Sequence, residues 1–198
     1  MEVVIVRISI DPGLGVRGDG KGTAEHPPQF DYSLFVAKRI YDLLQKETDL
    51  VPSLTRWQSE SKNWRERLAA VKSHQAQMCL CLNIDSWLTC DCSSFTSYVS
   101  VMAPGDTRRL QALLHNDVAC RLRLEYGVID GGKRNDTEHR DFGLPLLEYS
   151  SCCAVCLEAI FVYSNGSTIL DSDAFQDSLA RIIANGIINH RNFFHHHE

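Results

Sequence analysis

Apolar positions along this chain fall into two kinds of run. Some are short, continuous and rich in β-branched residues, which predicts buried strands. Others recur every three or four residues, which predicts amphipathic helices. Val3 to Ile10 is the first strand. Tyr32 to Gln45 places Leu34, Phe35, Ile40, Leu43 and Leu44 at near-helical spacing and predicts the first helix. Leu50 to Leu54 is a short strand, and Trp64 to His74 is a helix with Leu68 and Val71 inward. Met78 to Ile84 and Ser97 to Met102 read as further strands. Asp106 to Glu125 is a helix through Leu110, Leu113, Leu114, Val118 and Leu122. Asp130-Gly-Gly-Lys133 reads as a turn. Cys152 to Tyr163 is a strongly apolar strand closed by Ser164-Asn-Gly166. Asp173 to His190 is the last helix, apolar at Leu179, Ile182, Ile183 and Ile187.

Between the first strand and the first helix, Asp11-Pro-Gly-Leu-Gly breaks the pattern, and the Gly-rich stretch to Pro28 predicts a long loop. Long loops at strand ends often carry function. Strands alternating with helices predict an α/β fold in three layers, a mostly parallel twisted sheet with helices on both faces. We expect one domain over residues 1–192 and a short tail over 193–198. Ligands bind beyond the carboxyl ends of such strands. That rule selects Asp11, Asn83, Asp85 and Glu158.

Composition narrows the function. Apolar residues make up 44% and charged residues 23% of the 198, an ordinary globular balance. The net charge is −5 with no long basic run, which argues against a nucleic-acid partner. No apolar run approaches the roughly 18 residues of a spanning helix, so no membrane partner is expected. Met-Glu-Val-Val-Ile-Val-Arg lacks the basic start of a signal peptide, and the expected location is the cytoplasm. Reduced, buried thiols are then expected for the eight cysteines. Cys79 and Cys81 would share a strand face, and Cys153-Ala-Val-Cys156 has the spacing of a metal or redox pair but lies in an apolar strand. His74, His115, His139 and His190 read as surface residues. Trp57, Trp64, Trp87 and the Phe193-Phe194 tail offer contacts to a second copy in a homo-oligomer.

Several segments, in order, resemble the zinc-dependent N-acetylmuramoyl-L-alanine amidases. Ile10-Asp-Pro-Gly-Leu-Gly15 resembles that family's Asp-Pro-Gly-His-Gly opening, and Thr55-Arg56 its Thr-Arg. Arg67-Leu-Ala-Ala with Ala76 to Asp85 resembles its Arg…Ala-Asn…Ser-Ile-His-Ala-Asn stretch. Ala154-Val-Cys-Leu-Glu158 with Ser164-Asn165 resembles its Ala-Val-Leu-Val-Glu…Ser-Asn stretch. The resemblance implies the three-layer fold of the zinc amidases, which is shared with the phosphorylase/hydrolase-like proteins. It also implies a zinc held by two His and one Glu, with a second Glu as general base. Carried over by position, the first His falls on Leu14, the zinc Glu on Gln29 and the second His on Asn83, while the general base is kept as Glu158.

Leu has no donor atom, and neutral amides are weak zinc ligands. The resemblance therefore implies a catalytically impaired member, a pseudoenzyme with no cofactor. Its strand-end cleft, lined by Asp11, Leu14, Gln29, Arg56, Asn83 and Asp85, would take a small molecule, a muropeptide-like ligand or a protein partner. The alternative is an active metal-dependent peptidoglycan hydrolase. It would bind zinc through Glu25 and His26 in a shifted loop, or Mg²⁺ or Ca²⁺ in an acidic cup of Asp11, Asp85 and Glu158. Glu158 itself, inside an apolar strand, needs a partner, and Arg56 or another cation is expected to supply it.

Overall fold

The computed structural model describes residues 5–13, 31–59, 62–87, 91–139 and 144–196, with backbone alone at 194–196. In chain order it contains β1 (Val6–Asp11), α1 (Tyr32–Leu44), β2 (Leu50–Leu54), α2 (Trp64–Ser73), β3 (Met78–Trp87) and β4 (Ser94–Val99). There follow α3 (Gly105–Tyr126), β5 (Ile129–Asn135), the short α4 (Pro145–Tyr149), β6 (Cys153–Ser164), β7 (Ser167–Thr168) and α5 (Asp173–His190).

The strands form one sheet in the order β2-β1-β3-β6-β4-β5, with β7 paired to β6. From β2 to β6 the pairing is parallel, as the alternation of strands and helices predicted. Beyond β6 the direction reverses: β4 runs antiparallel to β6 and parallel to β5. The sheet is therefore mixed, with helices on both faces.

Alternate residues of each strand point to opposite faces. One face packs under α1, α3 and α5, where Ile8, Ile10, Leu80, Leu82, Val155 and Leu157 join Ile40, Leu114 and Ile183 in the larger core. The other lies under α2 and α4, where Cys79, Cys81, Tyr98 and Cys156 join Val71, Leu146 and Leu147 in a smaller one. Helix starts are chemically marked. Asn63 and Glu66 form a reciprocal capping box on α2, and Ser172 caps α5.

Two elements differ from expectation. β4 covers Ser94–Val99 and not 97–102, and residues 130–133 belong to β5 and form no isolated turn. The cause is a close approach at the sheet edge. A Cβ on Gly131 would lie 2.2 Å from Thr96 Oγ1, and the β4–β5 register shifts between Phe95 and Thr96. The Gly-Gly pair that reads as a turn instead lets a bulged edge strand pack closely.

Candidate functional site

β1 lies between β2 and β3, so the chain leaves β1 on one side and returns to it on the other. The carboxyl ends at such a reversal border a crevice. Asn83 on β3 is here in register with Glu158 on β6, and the two side chains share the α2 and α4 face. Gly13, just past β1, has φ +68°, and a Cβ there would lie 3.3 Å from both Asn83 Oδ1 and the Leu82 carbonyl oxygen. The end of β1 thus comes down onto Asn83. Asn83 is half-buried, and its amide makes no side-chain hydrogen bond among the described residues.

Glu158 is 6% exposed. Burying a carboxylate is costly unless it is hydrogen-bonded. Tyr98 donates its hydroxyl to Oε2 at 3.1 Å, and His139 Nε2 lies 3.2 Å from Oε1. The two rings meet edge-on, centroids 5.1 Å apart. Tyr98 reaches Glu158 because β4 runs antiparallel to β6, setting Thr96 beside Glu158 and Tyr98 beside Cys156. Burial, and then the Glu158 charge, push the Tyr98 phenol well up, so it stays a donor. His139 is placed by the 3-10 turn Asp136–Glu138, in which buried Asp136 accepts the Val101 N–H at 2.8 Å.

These contacts correct two expectations. His139 and His115 are buried, not surface residues. Arg56 is not the partner of Glu158 and does not line an open cleft. It is wholly buried and spends all five N–H donors elsewhere: on both Asp31 oxygens (2.6 and 2.8 Å), and on the carbonyls of Pro12 (2.8 Å), Gly13 (3.1 Å) and Gln58 (2.8 Å). Asp31 also caps α1 through the Leu34 N–H. Arg56 therefore ties the end of β1 to the start of α1.

The acidic cup does not form. Asp11 is buried, accepts from Thr55 Oγ1 at 2.5 Å and is ion-paired with Arg67. Burial raises its carboxyl above the usual range, against the pull of Arg67 and Thr55. Asp85 accepts the Ser86 N–H at 2.8 Å and the Trp87 indole N–H at 3.2 Å. Among the described residues no three His, Cys, Asp or Glu side chains gather as metal ligands. Leu14, Glu25, His26 and Gln29 lie outside the described residues.

All seven described cysteines are free thiols. Cys79 and Cys81 do share a face, their sulfurs 3.9 Å apart, and burial pushes the Cys152 thiol up to about 12. Cys153 and Cys156 fall on opposite faces of β6 and cannot act as a chelating pair. Trp57 is half-exposed and meets Tyr41 edge-on, while Trp64 stacks on Tyr149. Among the described residues no helix is long and apolar enough to cross a membrane.

Tyr98 and Asp31 were not singled out by sequence, and His139 was read only as a surface residue. A Glu inside an apolar strand signals that donors must exist, and Asp31 ahead of a helix is a capping signal. Neither signal says which residue comes from across the sheet.

A family model described as N-acetylmuramoyl-L-alanine amidase matches residues 8–189. No curated protein matches the chain. Among solved structures, the N-acetylmuramoyl-L-alanine amidase from Clostridium difficile 630 superposes with a TM-score of 0.76 at 16% identity, covering 95% of this chain and 97% of that one. The catalytic domain of CwlV, an N-acetylmuramoyl-L-alanine amidase from Bacillus (Paenibacillus) polymyxa var. colistinus, gives 0.75 at 19% identity, covering 96% and 99%. The CwlD amidase from Clostridioides difficile, in complex with the GerS lipoprotein, gives 0.64 at 15% identity, covering 94% and 98%. At these identities the superpositions speak for the fold, and the fold agrees with the family model that spans nearly the whole sequence. The chain belongs to the N-acetylmuramoyl-L-alanine amidase family.

Proposed function

We propose that this protein holds an amide-containing, muropeptide-type ligand in the strand-end cleft and does not cut it by the metal route. The observation that carries the reading is Asn83. It stands beside Glu158, on the same sheet face, where the family resemblance puts a zinc-binding His. Its neutral amide is a poor ligand for zinc. Leu14 and Gln29, the other two matched positions, add an alkyl group and a second neutral amide. This donor set does not fit zinc. Two features support a ligand-holding role: Glu158 is buried with Tyr98 and His139 on its oxygens, and the β1 end comes down onto Asn83.

The test joins metal content to cleavage. The full chain, with His195, His196 and His197 replaced by Ala to remove nonspecific tail binding, is purified in zinc-containing buffer. It is then weighed by native mass spectrometry and incubated with N-acetylmuramoyl-L-alanine. The expected result is no stoichiometric zinc, no released L-alanine and retained binding. One zinc per chain together with released L-alanine would make the protein an active hydrolase and sink the reading.

A further inference from the structure

Thiols collect on one face of the sheet. Cys79, Cys81 and Cys156 lie in the smaller core under α2 and α4, with Cys152 packed against it. Cys81 is in register with Cys156 on β6, and Cys79 with Ala154. All four thiols are free. The sulfurs of Cys79 and Cys81 lie 3.9 Å apart. Two residues of strand advance about 6.6 Å, so these two side chains have leaned toward each other.

The separation decides between two chemistries. A disulfide needs its sulfurs at about 2.05 Å and its Cα atoms within about 6.8 Å. Residues two apart on an extended strand stand at the limit of that range, so closing the bond would bend β3. An ion bridging two thiolates spans more. With metal–sulfur bonds of about 2.3 Å, the observed 3.9 Å corresponds to an S–metal–S angle of roughly 115°. Thiolates select soft ions. Zinc asks for four ligands, and among the described residues no set of three His, Cys, Asp or Glu gathers to begin one. Cu⁺ is soft and is satisfied by two sulfurs. We propose that Cys79 and Cys81 form a two-sulfur binding site for Cu⁺, one layer below the strand-end cleft.

The step balances without an oxidant. Cu⁺ enters, two Cu–S bonds form, both thiol protons pass to solvent, and no electron is transferred. The complex carries one negative charge, which is costly to bury without a cation or donor nearby. Arg67 is buried and ion-paired with Asp11, the in-register neighbour of Cys81. Its Nε–H has no acceptor among the described residues, which leaves one donor beyond that pair. Before an ion arrives the thiols keep their protons: the hydrogen bond with Cys81, and then burial, push the Cys79 thiol well up. Binding therefore releases protons and strengthens as pH rises. A cavity of about 110 Å³, lined by Ser100, Thr107, Leu147, Ser150, Cys152 and Ala154, gives a way in. Ala154 is the neighbour of Cys79, and Cys152 on the cavity wall offers the ion its first sulfur.

The experiment titrates Cu⁺, held anaerobically by the coloured chelator bicinchoninate, against the full chain. Cys90, Cys92 and Cys120 are replaced by Ser, and His195, His196 and His197 by Ala, so that other thiols and the tail do not compete. This background chain is expected to take one Cu⁺, read from the chelator's loss of colour and from native mass spectrometry. X-ray absorption should show sulfur neighbours alone, and the bound ion should raise the thermal midpoint. Loss of an outer partner already costs a metal site about 10–100-fold, so Cys79→Val and Cys81→Val, which keep the buried space filled, should each weaken binding by roughly a hundredfold or more. Cys153→Ser, on the opposite face of β6, should bind as the background does. Cys152→Ser should slow uptake and leave the final affinity unchanged.

A background chain that takes no Cu⁺ from the chelator overturns the site. So does full binding by folded Cys79→Val and Cys81→Val. Should either variant fail to fold, the absorption spectrum of the background chain decides, and nitrogen or oxygen neighbours in place of sulfur overturn the assignment. An unchanged rate of uptake in Cys152→Ser removes the cavity as the route. None of these readouts uses a muropeptide, so their failure and the failure of the cleft reading are separate results.

Discussion

The two faces of the central sheet are built from the same strands and do different things. Under α1, α3 and α5, β1, β3 and β6 present an unbroken apolar series, Ile8 and Ile10, Leu80, Leu82 and Ile84, Val155 and Leu157. Under α2 and α4 the intervening positions pass from thiols, Cys79, Cys81 and Cys156, to Asp11, Asn83 and Glu158 at the carboxyl ends. The first face stabilises by area removed from water. The second holds groups that are costly to bury, with Asp11 matched to Thr55 and Arg67 and Glu158 to Tyr98 and His139. The proposed cleft sits on the face where polar groups are kept at the expense of easy stability.

The largest expected effect breaks a buried ion pair, Arg56 with Asp31. Arg56→Ala leaves Asp31 buried without its cation, and urea unfolding is expected to show a loss of about 3–5 kcal/mol. The double variant Arg56→Met with Asp31→Asn removes both charges and keeps a capping side chain, so it should recover much of the loss. If the double variant is as unstable as the single one, stranded charge is not the cause.

Next comes the apolar side. Leu82→Ala empties a fully buried position and should cost about 2–5 kcal/mol. Calorimetric titration should show ligand affinity unchanged in the fraction that remains folded. A parallel loss of affinity would mean that the two faces are not separable.

The smallest effect sharpens the comparison at its exception. His115 lies on the apolar face, stacked on Phe95, with Nε2 2.9 Å from Asp130 and Nδ1 buried without a partner among the described residues. Burial lowers its pKa below the ordinary 6.5, more than Asp130 raises it. Below that pH the unfolded chain takes up a proton that the folded chain refuses. The stability contribution is thus complete above about pH 6.5 and is lost as pH falls toward the folded value. Asp130 keeps its charge through this window: its slight burial is outweighed by the Gly132 N–H and by His115, which hold its carboxyl below the usual range. Urea midpoints of wild type should fall from roughly pH 8 to pH 5.5, and His115→Gln should flatten that fall. An equal slope in both would assign the titration elsewhere.

The sequence carried the fold where periodicity was strong. Val6 to Ile10, Met78 to Ile84 and Cys153 to Tyr163 are runs that only buried strands accommodate, and the long helices follow their apolar stripes. It failed at β5, whose glycines and charges describe an edge and a close backbone approach, both invisible without Thr96 opposite. The pairing of Asn83 with Glu158 was half legible: each was picked out at a strand end, but only the β3–β6 register makes them neighbours. Tyr98 and His139 were not legible, because their contacts depend on a strand that reverses direction and on a turn beyond the next one.

Arg56 has one more consequence, for how the protein can change. Its guanidinium joins Pro12 and Gly13 to Asp31, so the described ends on either side of residues 14–30 are held together. For a chain tethered at both ends, each doubling of length adds only about 0.6 kcal/mol of closure entropy. With those ends joined by Arg56, a change in chain length between them is expected to cost little in closure entropy. A length variant between Gly13 and Asp31 is therefore expected to unfold in urea near the wild-type midpoint.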